Sequence, residues 1–129
     1  MLITDMGKKS RAQLIRRVRE VESQRTRLVR QLARPDALII GSLHEVNRRC
    51  GKPSCHCATG PGHPQPILMS TRQGRRRCQL VRQADLAAVE EAVETYRQFR
   101  RALRLLSTLD SKILALLREL MRLRDQGYR

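Results

Sequence analysis

Two stretches of the chain place apolar side chains every three or four residues, and a central stretch does not. In the first, Leu14, Val18, Val21, Leu28 and Leu32 are spaced by fours and threes, with Arg25 in the one missing place. That period predicts a single apolar stripe on a helix of roughly 26 residues, about 39 Å long. Pro35 ends it, because proline lacks the N–H a helix needs. In the last stretch Leu86, Val89, Val93, Tyr96, Phe99, Leu103, Leu106, Asp110, Ile113, Leu117 and Leu120 again fall three or four apart. Asp85 is expected in the first turn, where its charge suits the helix dipole. The step from Tyr96 to Phe99 to Leu103 shifts the seam once. Leu105, Leu109, Leu114, Leu116 and Met121 widen the apolar face, and a wide face calls for more than one partner helix. Unbroken, residues 85–124 form a rod of roughly 60 Å; the alternative is a break near Ser107 and Thr108. Neither Gly nor Pro interrupts residues 8–34 or 75–126, so both flanks are free to be helical.

The centre reads as short strands. Residues 37–40 are a brief apolar run, and residues 67–71 and 76–81 form a hairpin around Gln73 and Gly74. Gly74 supplies the positive φ a tight turn needs. All five prolines, Pro35, Pro53, Pro61, Pro64 and Pro66, lie in this block. The expected fold is mainly α with a small β element. Two long helices form an antiparallel coiled-coil-like pair around a short β-hairpin and a central knuckle, which reads as a zinc knuckle because Cys50, Cys55, Cys57 and His63 crowd there. Three segments follow: a basic amphipathic helix at 1–35, a zinc-binding module with the hairpin at 36–83, and a long oligomerising helix at 84–129. The first helix is too short to cover the rod. The uncovered Leu-rich C-terminal part is therefore expected to pair with a second chain, making a homo-oligomer, a dimer or higher.

Composition fits helix-on-helix packing, since aromatics are 2% of the 129 residues and Trp is absent. The formal net charge of +15 opposes compaction unless a polyanion offsets it, most commonly nucleic acid and less commonly an acidic membrane surface or protein. Met1–Met6 does not read as a signal peptide, and no apolar run approaches the ~20 residues that span a bilayer. A cytoplasmic, nucleoid-associated protein with no membrane partner is expected.

Three cysteines crowd into eight positions, in Cys50-Gly-Lys-Pro-Ser-Cys55-His-Cys57-Ala-Thr-Gly-Pro-Gly-His63. Cysteines in a reducing compartment are not expected as disulfides, and this spacing reads as a metal site. Cys50, Cys55, Cys57 and His63 match the tetrahedral sulfur and nitrogen donor set of Zn2+, and a full set of four protein ligands makes the ion structural. Gly51, Pro53, Gly60, Pro61 and Gly62 permit the sharp turns such a loop needs. Cys78, brought in by the hairpin, His56 and His44 are the alternatives to His63, and an iron–sulfur cluster is the alternative to zinc.

These residues carry a resemblance. The chain resembles a bacterial family of unknown function, often encoded beside transposases and other mobile-element genes. That family carries Arg-Arg-Cys-Gly-Lys-x-x-Cys-x-Cys-Ala-x-Gly-x-x-His, then a strand hairpin, then a long helix with Tyr-Arg-x-Phe. Here the matching residues are Arg48-Arg49-Cys50-Gly51-Lys52, Cys55, Cys57-Ala58, Gly60, His63 and Tyr96-Arg97-Gln98-Phe99, with Gly41-Ser42-Leu43 upstream. The likeness covers roughly residues 38–120. One departure stands out: the family's Gly-Pro and aromatics after the histidine are replaced by Pro64-Gln65-Pro66-Ile67-Leu68-Met69. The resemblance implies a mobile-element setting and no particular activity.

Between Glu45 and Asp85 there is no acidic residue, while Arg48, Arg49, Lys52, Arg72, Arg75, Arg76, Arg77 and Arg82 lie there. Arginine forks match phosphate oxygens and the guanine edge, so these eight are the candidate nucleic-acid contacts. Duplex DNA ranks above single strands, because no aromatic lies nearby to stack on bases. Arg97, Arg100, Arg101 and Arg104, and likewise Arg11, Arg16, Arg17 and Arg19, either track phosphates or keep the helices soluble. No nucleophile–base arrangement, glycine-rich phosphate loop or central carboxylate cluster is present, so no enzymatic activity is expected. The expected function is that of a zinc-containing DNA-binding accessory protein of transposition or recombination, docking on a transposase or recombinase. A coiled-coil adaptor for an acidic or recombinase partner and an RNA-binding factor are the rival readings.

Overall fold

A computed structural model describes residues 10–128. The first nine residues of the 1–35 segment, with the reading of Met1–Met6, and the last residue of the 84–129 segment lie outside the described residues. In order, the elements are helix α1 (Arg11–Leu32), strands β1 (Ser42–Arg48), β2 (His63–Arg72) and β3 (Arg75–Leu80), and helix α2 (Leu86–Arg124). One-turn 3-10 helices occupy His56–Ala58 and Gln83–Asp85. The chain forms two compact units, one of Met1–Pro35 with Arg100–Arg129, the other of Asp36–Phe99. No helix of the described residues is long and apolar enough to cross a membrane.

The helical unit begins with a capping box. The Ser10 hydroxyl accepts from the Gln13 N–H at 3.2 Å, and the Gln13 side chain accepts from the Ser10 N–H at 2.9 Å. Two otherwise orphaned donors are thereby satisfied. The expected stripe is the buried one: Leu14, Val21 and Leu28 are buried, and Val18 and Leu32 pack beside them. They meet Leu109 and Leu116 of α2, flanked by Ala102, Leu106, Ile113, Leu120 and Leu123. The two helices run antiparallel, since the Arg11 guanidinium donates to the Leu123 carbonyl at 2.7 Å while Arg25 pairs with Asp110.

One expectation changes here, a second changes in part, and a rival reading falls. The α2 seam uses Ala102, Leu109 and Leu116 in place of Leu103, Asp110 and Leu117; Leu103 and Leu117 are exposed. The shift is one residue, or about 100° round the helix. The Leu-rich C-terminal part is covered only in part by α1 of the same chain: Leu109 and Leu116 are buried against Leu14, Val21 and Leu28, while Leu105, Leu114, Leu117 and Met121 stay exposed. The helix does not break at Ser107 and Thr108: the Thr108 hydroxyl donates to the Arg104 carbonyl and needs no other partner.

The second unit holds a three-stranded antiparallel sheet in the order β1-β2-β3. The apolar run at 37–40 is not a strand; the first strand lies further on, at Ser42–Arg48. The run is instead held by the Ile39 N–H, which donates to the Ala92 carbonyl of α2 at 3.1 Å. The expected hairpin is present, but β2 starts earlier, at His63, and contains Pro64 and Pro66. Proline is tolerated in this central strand because β3 pairs only from Ile67 onward. The Pro66 carbonyl accepts from the Val81 N–H, so its ring nitrogen faces the same, β3, side, beyond the end of that ladder. Gln73 and Gly74 both take positive φ, 52° and 77°, as a two-residue primed turn requires. Asp85 ends the 3-10 turn ahead of α2 and is not in its first turn.

Candidate metal centre

The link between β1 and β2 carries the cysteines. The ladder ends with Arg48 opposite His63, so the strands close the base of the loop and set His63 beside it. Three backbone bonds wind the loop tightly: Cys55 N–H to Lys52 O and Ala58 N–H to Cys55 O, each 3.1 Å, and Gly60 N–H to Cys57 O at 3.3 Å. The Arg49 Nε–H donates to the Gly60 carbonyl at 3.1 Å and ties the two sides together. Gly62 crosses directly over the Arg48–Arg49 backbone at φ +97°; a Cβ there would lie 2.5 Å from the Arg48 carbonyl carbon. No other residue type fits that crossing.

The winding brings one donor atom each from Cys50, Cys55, Cys57 and His63 to within 4.8 Å of one another. Cys50 Sγ and Cys57 Sγ are 3.4 Å apart, too far for a disulfide bond, and all four cysteines are free thiols. His63 turns Nε2 toward Cys55 Sγ at 3.2 Å. Cys57 is buried, and its sulfur accepts from the Cys50 N–H at 3.4 Å. The four side chains are close enough together to bind a metal ion.

The thiols differ in acidity. The backbone N–H of Lys52, then the Cys57 thiol, bring Cys50 down to about 6. The Cys50 N–H acts to lower Cys57 as well, but burial and the neighbouring Cys50 and Cys55 thiols outweigh it and push Cys57 up. Cys50 is therefore the first of the two to carry the negative charge a cation needs.

The alternative donors stand apart from the four. Cys78 is exposed on β3, opposite Met69. His44 bonds the Ser42 hydroxyl at 2.9 Å. His56 is nearest, edge-on to the His63 ring at 5.4 Å with Nδ1 4.0 Å from Cys55 Sγ, and is not one of the clustered four.

The eight basic residues of the centre are all exposed and all lie in the unit that carries the cluster. Arg48 ends β1, Arg49 and Lys52 are on the loop, and Arg82 caps the 3-10 turn before α2. Arg72 and Arg75 face each other beside the turn, with Arg77 opposite Ser70. Because strand side chains alternate, Arg75 and Arg77 share one face of the sheet and Arg76 takes the other. The triplet, all on β3, therefore divides between the two faces of the sheet. Sequence reasoning missed Arg49 as a strap across the loop and Gly62 as the crossing point. The Gly-Pro-Gly run signalled a turn there, but no sequence pattern names the backbone it crosses.

Residues 13–91 match the model of a family described as Domain of unknown function (DUF6788). The chain belongs to that family. The match includes most of α1, the whole cysteine loop, the sheet and the start of α2, so the Cys/His cluster is a part of the DUF6788 domain. No curated protein and no solved structure matches the chain.

Proposed function

We propose that this DUF6788 protein is a non-enzymatic, zinc-containing accessory protein that binds duplex DNA in a mobile-element setting, in the nucleoid of the cytoplasm. One observation carries the reading: eight exposed cations, with no carboxylate between Glu45 and Asp85, sit on the unit that folds around the Cys/His cluster. Zinc suits that cluster. Bonds of about 2.3 Å to sulfur and 2.0 Å to nitrogen set tetrahedral corners roughly 3.5–3.8 Å apart. The donors here approach to 3.2 and 3.4 Å and stay within 4.8 Å. Three sulfurs and one imidazole fill all four corners, which makes the ion structural. The loop then acts as a rigid base from which the β2–β3 tip presents Arg72 and Arg75–Arg77 to phosphates and base edges. The helical pair is read as a coiled coil that docks a transposase or recombinase.

The test is binding of the zinc-loaded protein to duplex DNA, single-stranded DNA and structured RNA across a salt series. Duplex binding should lose roughly 0.9 log units of affinity per decade of salt for each phosphate contacted. Replacing Arg75, Arg76 and Arg77 by Ala should lower that slope by about two to three contacts. An unchanged slope refutes the hairpin interface. A clear preference for RNA refutes the duplex assignment, and weak binding to all three favours an acidic protein partner.

A further inference from the structure

The helical unit has a second apolar strip. Each residue following a core position lies about 100° further round its helix. Because α1 and α2 are antiparallel, that direction falls on the same side of both. On α1 it carries Ile15 and Val29, exposed by 39% and 36%; on α2 it carries Leu103, Leu114, Leu117 and Met121, exposed by 44–62%. Leu117 and Met121 line, with Leu120, a depression of about 580 Å³. From Leu103 to Met121 the strip runs about 27 Å, the length of a five-turn helix laid along it.

Arginines border it. One step further round from Ile15 and Val29 are Arg16 and Arg30; from Leu103, Leu117 and Met121 they are Arg104, Arg118 and Arg122. Arg122 and Arg124 line the depression itself, where Asp125 turns its carboxylate to the Gly127 N–H at 2.9 Å. Among the described residues none of these arginines is paired with a carboxylate. Of the acids on the strip, Asp110 is paired with Arg25 and Glu22 lies one turn from Arg19. Such a make-up selects its occupant. Nucleic acid would match the arginines but has nothing apolar to cover the leucines and Met121. A second copy would cover the leucines but set arginine against arginine along both borders. A helix with apolar residues every three or four positions and carboxylates beside them answers both, since charges flanking an apolar seam set partner choice.

We propose that the strip binds an acidic amphipathic helix of a partner protein, as a third helix on the α1–α2 pair. This rests on the docking role given above to that pair, and on neither the zinc nor the duplex-DNA reading. The test is fluorescence anisotropy of labelled synthetic peptides with the full, metal-loaded, nucleic-acid-free chain. Each peptide has about three heptads with Leu at the a and d positions; one carries Glu at e and g, the other Lys. The Glu peptide should bind at least about tenfold more tightly than the Lys peptide, an advantage that shrinks at high salt. Leu114→Gln with Leu117→Gln should weaken the Glu peptide at least about tenfold. Arg118→Glu with Arg122→Glu should cut its advantage over the Lys peptide at least about threefold. Leu105→Gln, at a residue 50% exposed but off the strip, should change neither. Dichroism checks that each variant keeps its helix content. Equal binding of the two peptides overturns the proposal and leaves a docking strip without an acidic partner; binding of neither removes the docking role as well. Binding that survives the leucine substitutions also overturns it. So does a wild-type dimer in sedimentation that those substitutions dissociate, which makes a second copy the occupant, or a duplex affinity that falls with them, which makes it nucleic acid. Duplex affinity of the wild type is measured separately, so a chain that takes the Glu peptide and no duplex keeps this proposal and loses the DNA reading.

Discussion

Removing the metal should unfold the sheet and leave the helical pair standing. The reason lies in where the apolar burial is. In the unit Asp36–Phe99, the buried hydrophobic residues among those described are Cys57 and Val93, and every residue of β1, β2 and β3 is at least partly exposed. Full burial of one such side chain contributes about 1.5–3 kcal/mol; these two, and the half-buried Leu43, Val46, Ile67, Leu68 and Met69 at only a part of that each, stand against the ordering cost of a three-stranded sheet and its loops. A structural zinc site in a small module contributes about 10–16 kcal/mol near neutral pH. Whole domains are stable by about 5–15 kcal/mol, so if the cluster holds the proposed ion, losing it takes this unit below zero. The helical unit differs: five buried Leu and Val with seven more packed around them owe nothing to the cluster.

Hydrogen exchange read by mass spectrometry, with the metal quantified before and after chelation, tests this directly. Peptides spanning Ser42–Leu80 should lose their protection when the metal is withdrawn. Peptides spanning Leu14–Leu28 and Leu106–Leu120 should keep theirs. Cys57→Ala should reproduce the pattern without chelator. If β2 and β3 exchange at the same rate with the ion gone, the sheet holds itself and the reasoning above is wrong.

Two further outcomes follow from the same loop. Gly62→Ala forces a Cβ against the Arg48 backbone and should weaken metal retention at least about tenfold in a chelator competition. Gly74→Ala, with nothing within 4 Å but φ +77°, should cost only about 1 kcal/mol in a thermal melt and leave the metal in place. Acidification should release the ion. With its thiol brought from 9.0 down to about 6, Cys50 binds fewer protons in the folded chain than in the unfolded one between those values. The stability it contributes is therefore complete above pH 9 and disappears as pH falls through about 6. A metallochromic dye should report a release midpoint at or below about pH 6, since the bound cation holds the thiolate further; an ion still held in strong acid would contradict thiolate ligation.

In the unit Asp36–Phe99, the donor set was readable from the chain and its geometry was not. Donor spacing alone brought together Cys50, Cys55, Cys57 and His63, because few residue types bind metals and a short Gly- and Pro-rich loop leaves few ways to arrange them. Gln73 and Gly74 marked the turn for the same local reason. The strand at Ser42–Arg48 was not foreseen, since its pattern of Leu43, His44, Glu45 and Val46 has no clean alternation and no side of it is buried. It is a strand because β2 pairs with it, and that pairing closes the cysteine loop. Pro64 and Pro66 lack the N–H a ladder uses. Their tolerance depends on where β3 ends, which is a fact about a partner and not about the residues themselves.

The helical unit shows a different limit. Along α1 the stripe was unambiguous, because Arg16, Arg19, Arg27 and Arg30 flank it with charge. Along α2 the same test has two answers. Leu106, Ile113 and Leu120 belong to either solution, and the seam can be completed by Ala102, Leu109 and Leu116 or by Leu103, Asp110 and Leu117. Counting large apolar residues favours the second set at Leu103 over Ala102. Packing favours the first, because it keeps Asp110 at the edge, where it is 44% exposed and reaches Arg25 of α1. An exposed pair of this kind contributes only about 0.2–1 kcal/mol, but an unpaired carboxylate held in the seam would cost several times that. The penalty for burying one aspartate, more than the gain from any leucine, thus decides which side of α2 faces inward. The leucines of the losing stripe remain on the surface, on the same side of the pair as Ile15 and Val29, which is how one helix sequence comes to carry two apolar seams.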